Sequence, residues 1–207
     1  MTREFYDRYW NHSLPPMMFF DNEPEWDEAN FKKHERLILP WLVGDRALDL
    51  GCGEGRLTSR INKSFLCYGT DISPVALKKA RKNFSEVVFI DYLHHTDQQF
   101  DNIISTEVME HIFDFDEYFA VVKMYLKVGG RMIITTNEMC FLKFLAIGLF
   151  YKDTFFNPYS PHIRFFTRQT LQDLFHWHGF RIIHFDRLGN RFGFLSLGLV
   201  AVAERAI

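Results

Sequence analysis

The chain has 207 residues, 47% hydrophobic and 24% charged, enough for one domain with a full core and ordinary for a soluble globular protein. A formal charge of −2 and a pI near 6.5 give no bulk attraction to nucleic acid. The longest apolar run, Met139 to Tyr151, is interrupted by Lys143 and falls short of the ~20 residues that cross a bilayer.

The first residues contain no apolar signal region. Cys52, Cys67 and Cys140 are odd in number and form no C-x-x-C, which reads as reduced thiols in a cytoplasmic protein. Residues 1–27 hold many aromatics with Pro15, Pro16 and Pro24. They read as an irregular cap, either an arm packed on the domain edge or a lid over a site. Residues 28–42 have helical spacing, with Pro40 near the end. Arg46 to Leu50 reads as a first, buried strand. A helix is expected from about Glu54 to Asn62. Leu66 to Asp71 is a second strand, and Ser73 and Pro74 cap and open the next helix. Its Lys78–Lys82 run reads as a solvated face.

Val87 to Ile90, Phe100 to Ser105 and Arg131 to Thr136 complete five strands, with a helix over Asp114 to Leu126. Residues 137–166 break the alternation and read as an insertion of one apolar helix plus a loop. Thr167 caps a helix to His178, which Gly179 ends. Phe180 to Phe185 and Leu197 to Ala203 form a closing hairpin. The pattern predicts a single domain over 1–207, an α/β fold with a seven-stranded, mostly parallel sheet. Helices cover both faces, and the C-terminal hairpin makes one edge antiparallel.

The central stretch is Asp49-Leu50-Gly51-Cys52-Gly53-Glu54-Gly55. A strand, a Gly-rich turn and a helix N-terminus make a cradle for an anionic or nucleotide-like group. The dinucleotide pattern G-x-G-x-x-G is missed, because the third Gly comes one residue early. This form resembles motif I of the class I S-adenosylmethionine (SAM) methyltransferases. Further blocks follow in that family's order: Gly69-Thr70-Asp71-Ile72-Ser73, Asp91, Phe100 to Ser105, Glu107-Val108-Met109-Glu110-His111, and Leu126-Lys127-Val128-Gly129-Gly130. The family usually has Pro where Val128 stands. The resemblance spans about residues 30–204 and implies a Rossmann-like fold.

The resemblance implies that SAM is held by Asp49, Gly51, Cys52, Gly53, Gly55, Asp71, Ile72, Asp91, Tyr92 and Thr106. Asp71 would accept hydrogen bonds from the ribose hydroxyls, or serve only as a helix cap. Asp91 and Tyr92 would bracket the adenine, or form a simple turn. Asp49 would support the loop or reach the methionine ammonium group through water.

Methyl transfer needs positioning and exclusion of water. A hydroxyl acceptor must also lose a proton, so His111 and Glu110 are the catalytic candidates. The Glu107-x-x-Glu110-His111 group resembles the metal-binding segment of ubiquinone-pathway O-methyltransferases and of small-RNA 2′-O-methyltransferases. The latter also carry a downstream His, here His162. Glu107, Glu110, His111 and His162 would then hold Mg²⁺, Mn²⁺ or Zn²⁺, or they only pack and orient the loop. His94, His95, His176, His178 and His184 are assigned no role.

The 137–166 insertion is either a buried helix or a greasy lid over an apolar or aromatic small-molecule acceptor. It could also touch a membrane surface or form a dimer interface. O-methylation of a small molecule is the leading expectation. A 2′-O-methyltransferase acting on an RNA terminus and a non-catalytic SAM-binding protein are the alternatives.

Overall fold

A computed structural model describes residues 2–14, 27–92, 98–156, 160–188 and 198–206. The described chain runs α1 (Arg3–Trp10), α2 (Glu28–Ile38), β1 (Arg46–Leu50), α3 (Arg56–Asn62), β2 (Leu66–Thr70), α4 (Pro74–Asn83) and β3 (Phe100–Thr106). It continues through α5 (Phe115–Tyr125), β4 (Leu126–Thr136), α6 (Phe141–Ala146), α7 (Lys152–Phe155), α8 (Arg168–Trp177), β5 (Phe180–Leu188) and β6 (Gly198–Arg205). A π-helical turn at Ile147–Tyr151 joins α6 to α7.

The strands form one sheet in the order β2-β1-β3-β4-β6-β5. The first four run parallel, and β6 lies antiparallel to both β4 and β5. Strand residues alternate between the two faces, as the pleat requires. Leu48, Ile103, Met132, Ile134 and Ala201 join Phe119 of α5 and Phe175 of α8. Ala47, Ile104, Ile133 and Val200 join Phe31 and Ile38 of α2 and Leu57 and Ile61 of α3 on the other. Helices therefore cover both faces of the sheet, as the pattern predicts.

Two expectations are corrected. Among the described residues the sheet has six strands, not seven. The stretch expected as strand three reaches β2 only as an isolated parallel bridge between Gly69 and Phe89. Its two hydrogen bonds, Gly69 N to Val88 O at 3.0 Å and Ile90 N to Gly69 O at 2.9 Å, end where the chain turns away at Asp91. The N-terminus is not wholly irregular either. Thr2 caps α1, and its aromatics meet edge-on in neighbouring pairs, Phe5 with Tyr6 and Tyr9 with Trp10.

Smaller differences lie at element ends. The helix after the glycine loop starts at Arg56, because Gly55 stands in the left-handed region at φ +80 and caps it. The Gly129-Gly130 region continues as strand, with a register shift opposite Phe100/Asn102. His94, His95, Pro158 and Tyr159 lie outside the described residues.

The parallel order places the C-terminal ends of β1, β2, β3 and β4 side by side. Four loops begin there: the glycine loop, Asp71-Ile72, Glu107–His111 and residues 137–140. Crevices at this edge are where open α/β sheets bind ligands.

Candidate functional site

The glycine loop is tied down from both sides. Gly51 N and Cys52 N both donate to Thr70 O, at 2.9 and 3.0 Å, so the loop rides on the end of β2. Gly51 has φ +88, and a Cβ there would stand 2.4 Å from Val108 Cγ2. Only glycine allows that approach, and it seats the Glu107–His111 segment directly against the loop.

Asp71 organises the next layer. Gly53 N donates to its Oδ2 and Ser73 N to its Oδ1, both at 2.9 Å. Ser73 also caps α4. Burial pushes the Asp71 carboxyl up to about 6 against these two donors. Each oxygen keeps a lone pair for a ligand hydroxyl.

Asp49 is buried at the end of β1. Its Oδ2 accepts from Thr58 Oγ1 at 2.7 Å. Its Oδ1 has no hydrogen-bond partner among the described residues. Burial, with Asp71 nearby, pushes the Asp49 carboxyl up to about 7. An orphaned, buried carboxylate oxygen beside a glycine cradle suits a cationic group. The residues present thus fit a nucleoside with an amino-acid tail.

The other expected cofactor residues line up unevenly. Ile72 and Thr106 are half-buried at the ends of β2 and β3. The Cys52 thiol is pushed well up by burial and by the nearby acids, so it packs as an inert side chain. Tyr92 is half-buried and packs on the main core. Asp91 is exposed and pairs with Arg81 Nη2 at 2.7 Å. The Lys78–Lys82 run is therefore only partly a solvated face, since Lys79 and Arg81 tie down Glu54 and Asp91.

The acid and histidine cluster forms beside the glycine loop. Glu107 opens it with φ +52, a left-handed conformation uncommon outside glycine. Its N donates to Thr135 O at 3.0 Å, and its Oε1 accepts from Thr135 Oγ1 at 2.7 Å. Glu110 is fully buried. Its Oε2 accepts from Thr136 Oγ1 at 2.9 Å, while Oε1 has no donor among the described residues. Burial first, and then the neighbouring Glu107, push Glu110 well up. Such a pair shares either a proton or a cation.

His111 Nδ1 lies 3.0 Å from Pro161 O. A carbonyl only accepts, so Nδ1 carries the proton and Nε2 keeps its lone pair. Burial holds the ring below the usual imidazole range, against the Pro161 carbonyl, so it stands neutral.

His162 reaches the cluster because its loop is stitched to the segment. Ile163 N and Arg164 N both donate to Glu110 O, at 2.9 and 3.1 Å. The His162 ring lies 4.8 Å from His111. Burial first, then His111 and Lys143, push it down to about 4. Ligand atoms of Glu110, His111 and His162 all lie within 4.8 Å of one another. Glu107, the fourth expected ligand, stands beside this trio rather than in it.

Sequence reasoning did not foresee three contributors. His34 of α2 is buried, with Nδ1 2.8 Å from Asn30 O, and it feels the Glu107 charge. Lys143 turns inward from the apolar α6, is lowered mainly by burial, and feels Glu107, Glu138 and Glu110. Tyr6 of α1 lies edge-on to His111, with ring centroids 6.2 Å apart. The inward slot of His34 in a helical pattern was a signal, and Tyr6 lies in the N-terminal stretch that reads as an arm or a lid; nothing local marks Lys143.

Comparison with known proteins adds a family to this geometry. A family model described as a methyltransferase domain matches residues 5–185. The human mitochondrial ubiquinone biosynthesis O-methyltransferase is 26% identical over 158 residues, covering 68% of this chain and 42% of that protein. The ubiquinone biosynthesis O-methyltransferase of Chelativorans sp. (strain BNC1) is 34% identical over 132 residues, 58% of this chain and 51% of that one. The chain thus spans about half the length of the curated relatives it matches. Among solved structures, magnesium protoporphyrin IX methyltransferase from Synechocystis PCC 6803 with bound SAH superposes with a TM-score of 0.64. It is 19% identical and covers 98% of this chain and 95% of its own, a likeness of fold.

Proposed function

Because the chain belongs to the methyltransferase domain family, with the class I SAM-dependent fold, we propose that it moves a methyl group from SAM to a hydroxyl of a small apolar or aromatic acceptor. The observation that carries this reading is the Gly51–Val108 contact. It sets Glu110 and His111 against the loop that would cradle the donor.

In this reading Asp71 takes the ribose hydroxyls on its spare lone pairs. Asp49 Oδ1 faces the ammonium group, and Gly51, Cys52, Gly53 and Gly55 line the approach. Ile72, Tyr92 and Thr106 pack around the nucleoside, with Asp91 at its exposed rim. Bound SAM supplies a methyl group on a sulfonium, activated for in-line displacement. The chain supplies alignment, a dry crevice and a base. Neutral His111 takes the acceptor's hydroxyl proton at Nε2, while the Pro161 carbonyl holds Nδ1–H and so fixes the tautomer. Glu107, whose charge His111 feels, steadies the imidazolium that forms, and burial keeps Glu110 protonated in the pair it makes with Glu107.

A second reading is favoured by the close approach of Glu110, His111 and His162 and by the donorless Glu110 Oε1. These three atoms could hold a divalent metal, with Glu107 beside them. Such an ion would supply Lewis acidity to the acceptor oxygen. Titration of Mn²⁺ or Zn²⁺ into the protein and into His162→Ala separates the two. Tight binding lost in the variant supports the metal. No binding by the wild type leaves His111 as the base.

The 137–166 segment supports an apolar acceptor. It brings Lys143 toward the acids and carries Phe141, Phe144 and Phe150 on its exposed side. That greasy wall also suits an acceptor drawn from a lipid surface. Transfer from labelled SAM to phenols, quinols, glycans and short RNAs tests the acceptor class. Labelled phenols or quinols support the proposal; labelling of RNA alone overturns it.

A further inference from the structure

No residue of helix α1 is fully buried, yet its Tyr6–Trp10 turn touches the crevice at two places. At the cofactor end, a Cβ on Gly53 would stand 2.9 Å from the Trp10 indole. Lys79 Nζ sits between Glu54 Oε1 at 2.9 Å and the Trp10 carbonyl at 2.6 Å, and lies 5.8 Å over the indole. Asp7 accepts from Ser73 Oγ, and Ser73 N in turn donates to Asp71. One turn before Trp10, Tyr6 lies edge-on to His111 at 86°.

We propose that α1 is a strap across the crevice, with Trp10 a wall of the cofactor site and Tyr6 a positioning residue for His111. Seating one contact seats the other. The reason is length. Eight residues are too few to hold a helix in water unaided. The strap stays helical only while its anchors hold, so loss of the Tyr6 contact loosens Trp10 and Asp7 as well. Cofactor affinity then depends on a contact made at the acceptor end. This inference rests on reading the crevice as a SAM site.

The test is calorimetric titration of SAH, the demethylated product, into the full chain and into Y6A, Y6F, W10A and Y6A/W10A. Backbone hydrogen exchange over residues 3–10 is followed with and without SAH. Truncating an edge-on aromatic contact predicts about a three- to tenfold weaker SAH affinity in Y6A. Y6F, which keeps the ring, stays within about twofold of wild type. W10A weakens binding further, and the double variant is no weaker than W10A within about twofold, the mark of coupled contacts. SAH slows exchange in α1. Unchanged thermal stability of Y6A, expected because no residue of α1 is fully buried, rules out general unfolding as the cause.

Wild-type binding of SAH with Y6A unaffected, with fully additive effects, or with exchange in α1 unmoved overturns the strap and leaves the cofactor reading standing. No binding of SAH by the wild type overturns both.

Discussion

Asp71 shows how one residue type at one strand end becomes a site. Its position after β2 was plain from sequence, but its two backbone donors come from the glycine loop and from the cap of α4. Removing the carboxylate leaves Gly53 N and Ser73 N without their charged acceptor, at roughly 1.5–3 kcal/mol per bond to a charged group. We expect D71A to weaken SAH binding by at least about tenfold, measured by titration calorimetry. Asp49 makes a sharper test. Its carboxyl is raised to about 7, so much of it is protonated at pH 6.5. An ammonium beside Oδ1 would favour the ionised form. SAH binding at pH 6.5 should then release a proton, seen as binding enthalpies that differ between phosphate and imidazole buffers. D49N should abolish that difference. Equal enthalpies in the wild type would remove Asp49 from the ammonium site.

Among elements, the glycine loop and the insertion behave in opposite ways. The loop is fitted to its neighbours. G51A meets Val108 at 2.4 Å in a backbone at φ +88, so we expect a loss of about 2 kcal/mol or more. Chemical denaturation reads this directly. The insertion is inverted, with polar Lys143 inward and apolar side chains outward. Phe141, Phe144 and Leu149 are 75%, 60% and 64% exposed, whereas Ile147 is buried. F141S/F144S/L149S should therefore change folding stability by less than about 1 kcal/mol, while I147S destabilises clearly. A large loss in the triple variant would mean that this face is part of the core. The sequence left a buried helix and a greasy lid both open. The run is apolar nearly all round, so which side faces the protein depends on where the chain re-enters at Met139 and Phe166. Met139 N meets Phe166 O at 2.7 Å there.

At the scale of the whole molecule, three buried acids cluster along one edge of the sheet. Asp49 is raised to about 7 and Asp71 to about 6, and Glu110 is raised well above its usual value, in each case chiefly by burial. The sign follows from proton counts. Below about pH 4 these groups are protonated whether folded or unfolded, and their folded-state benefit is complete. As pH rises, the unfolded chain ionises first. The contribution of these acids therefore falls from about pH 4 to pH 7, and Glu110 extends the fall higher. Buried His34, His111 and His162, held below the usual imidazole range, act in the opposite sense, so the share of Asp49 is read by difference. From pH 5 to pH 8 we expect the ligand-free melting temperature of the wild type to fall by roughly 3–10 °C relative to that of D49N. Parallel profiles of the two proteins would contradict the protonated state of Asp49.

The sequence alone determined the α/β class, the parallel order of units, the antiparallel closing pair and the glycine loop. Those features are local: strand-length apolar runs, caps such as Ser73 and Thr167, and turn residues are written over a few positions each. It overcounted by one strand, because Val87–Ile90 has strand composition but finds only a single bridge at the sheet edge. It read Glu107, Glu110, His111 and His162 as one group from a resemblance. Only the tertiary structure decided that three of them converge, through the backbone bonds from Ile163 and Arg164 to Glu110, with Glu107 alongside. His34, Lys143 and Tyr6 enter the same space from α2, α6 and α1, and no spacing rule links those helices. Long-range convergence depends on which faces of separate elements pack together, and a linear pattern does not encode that choice.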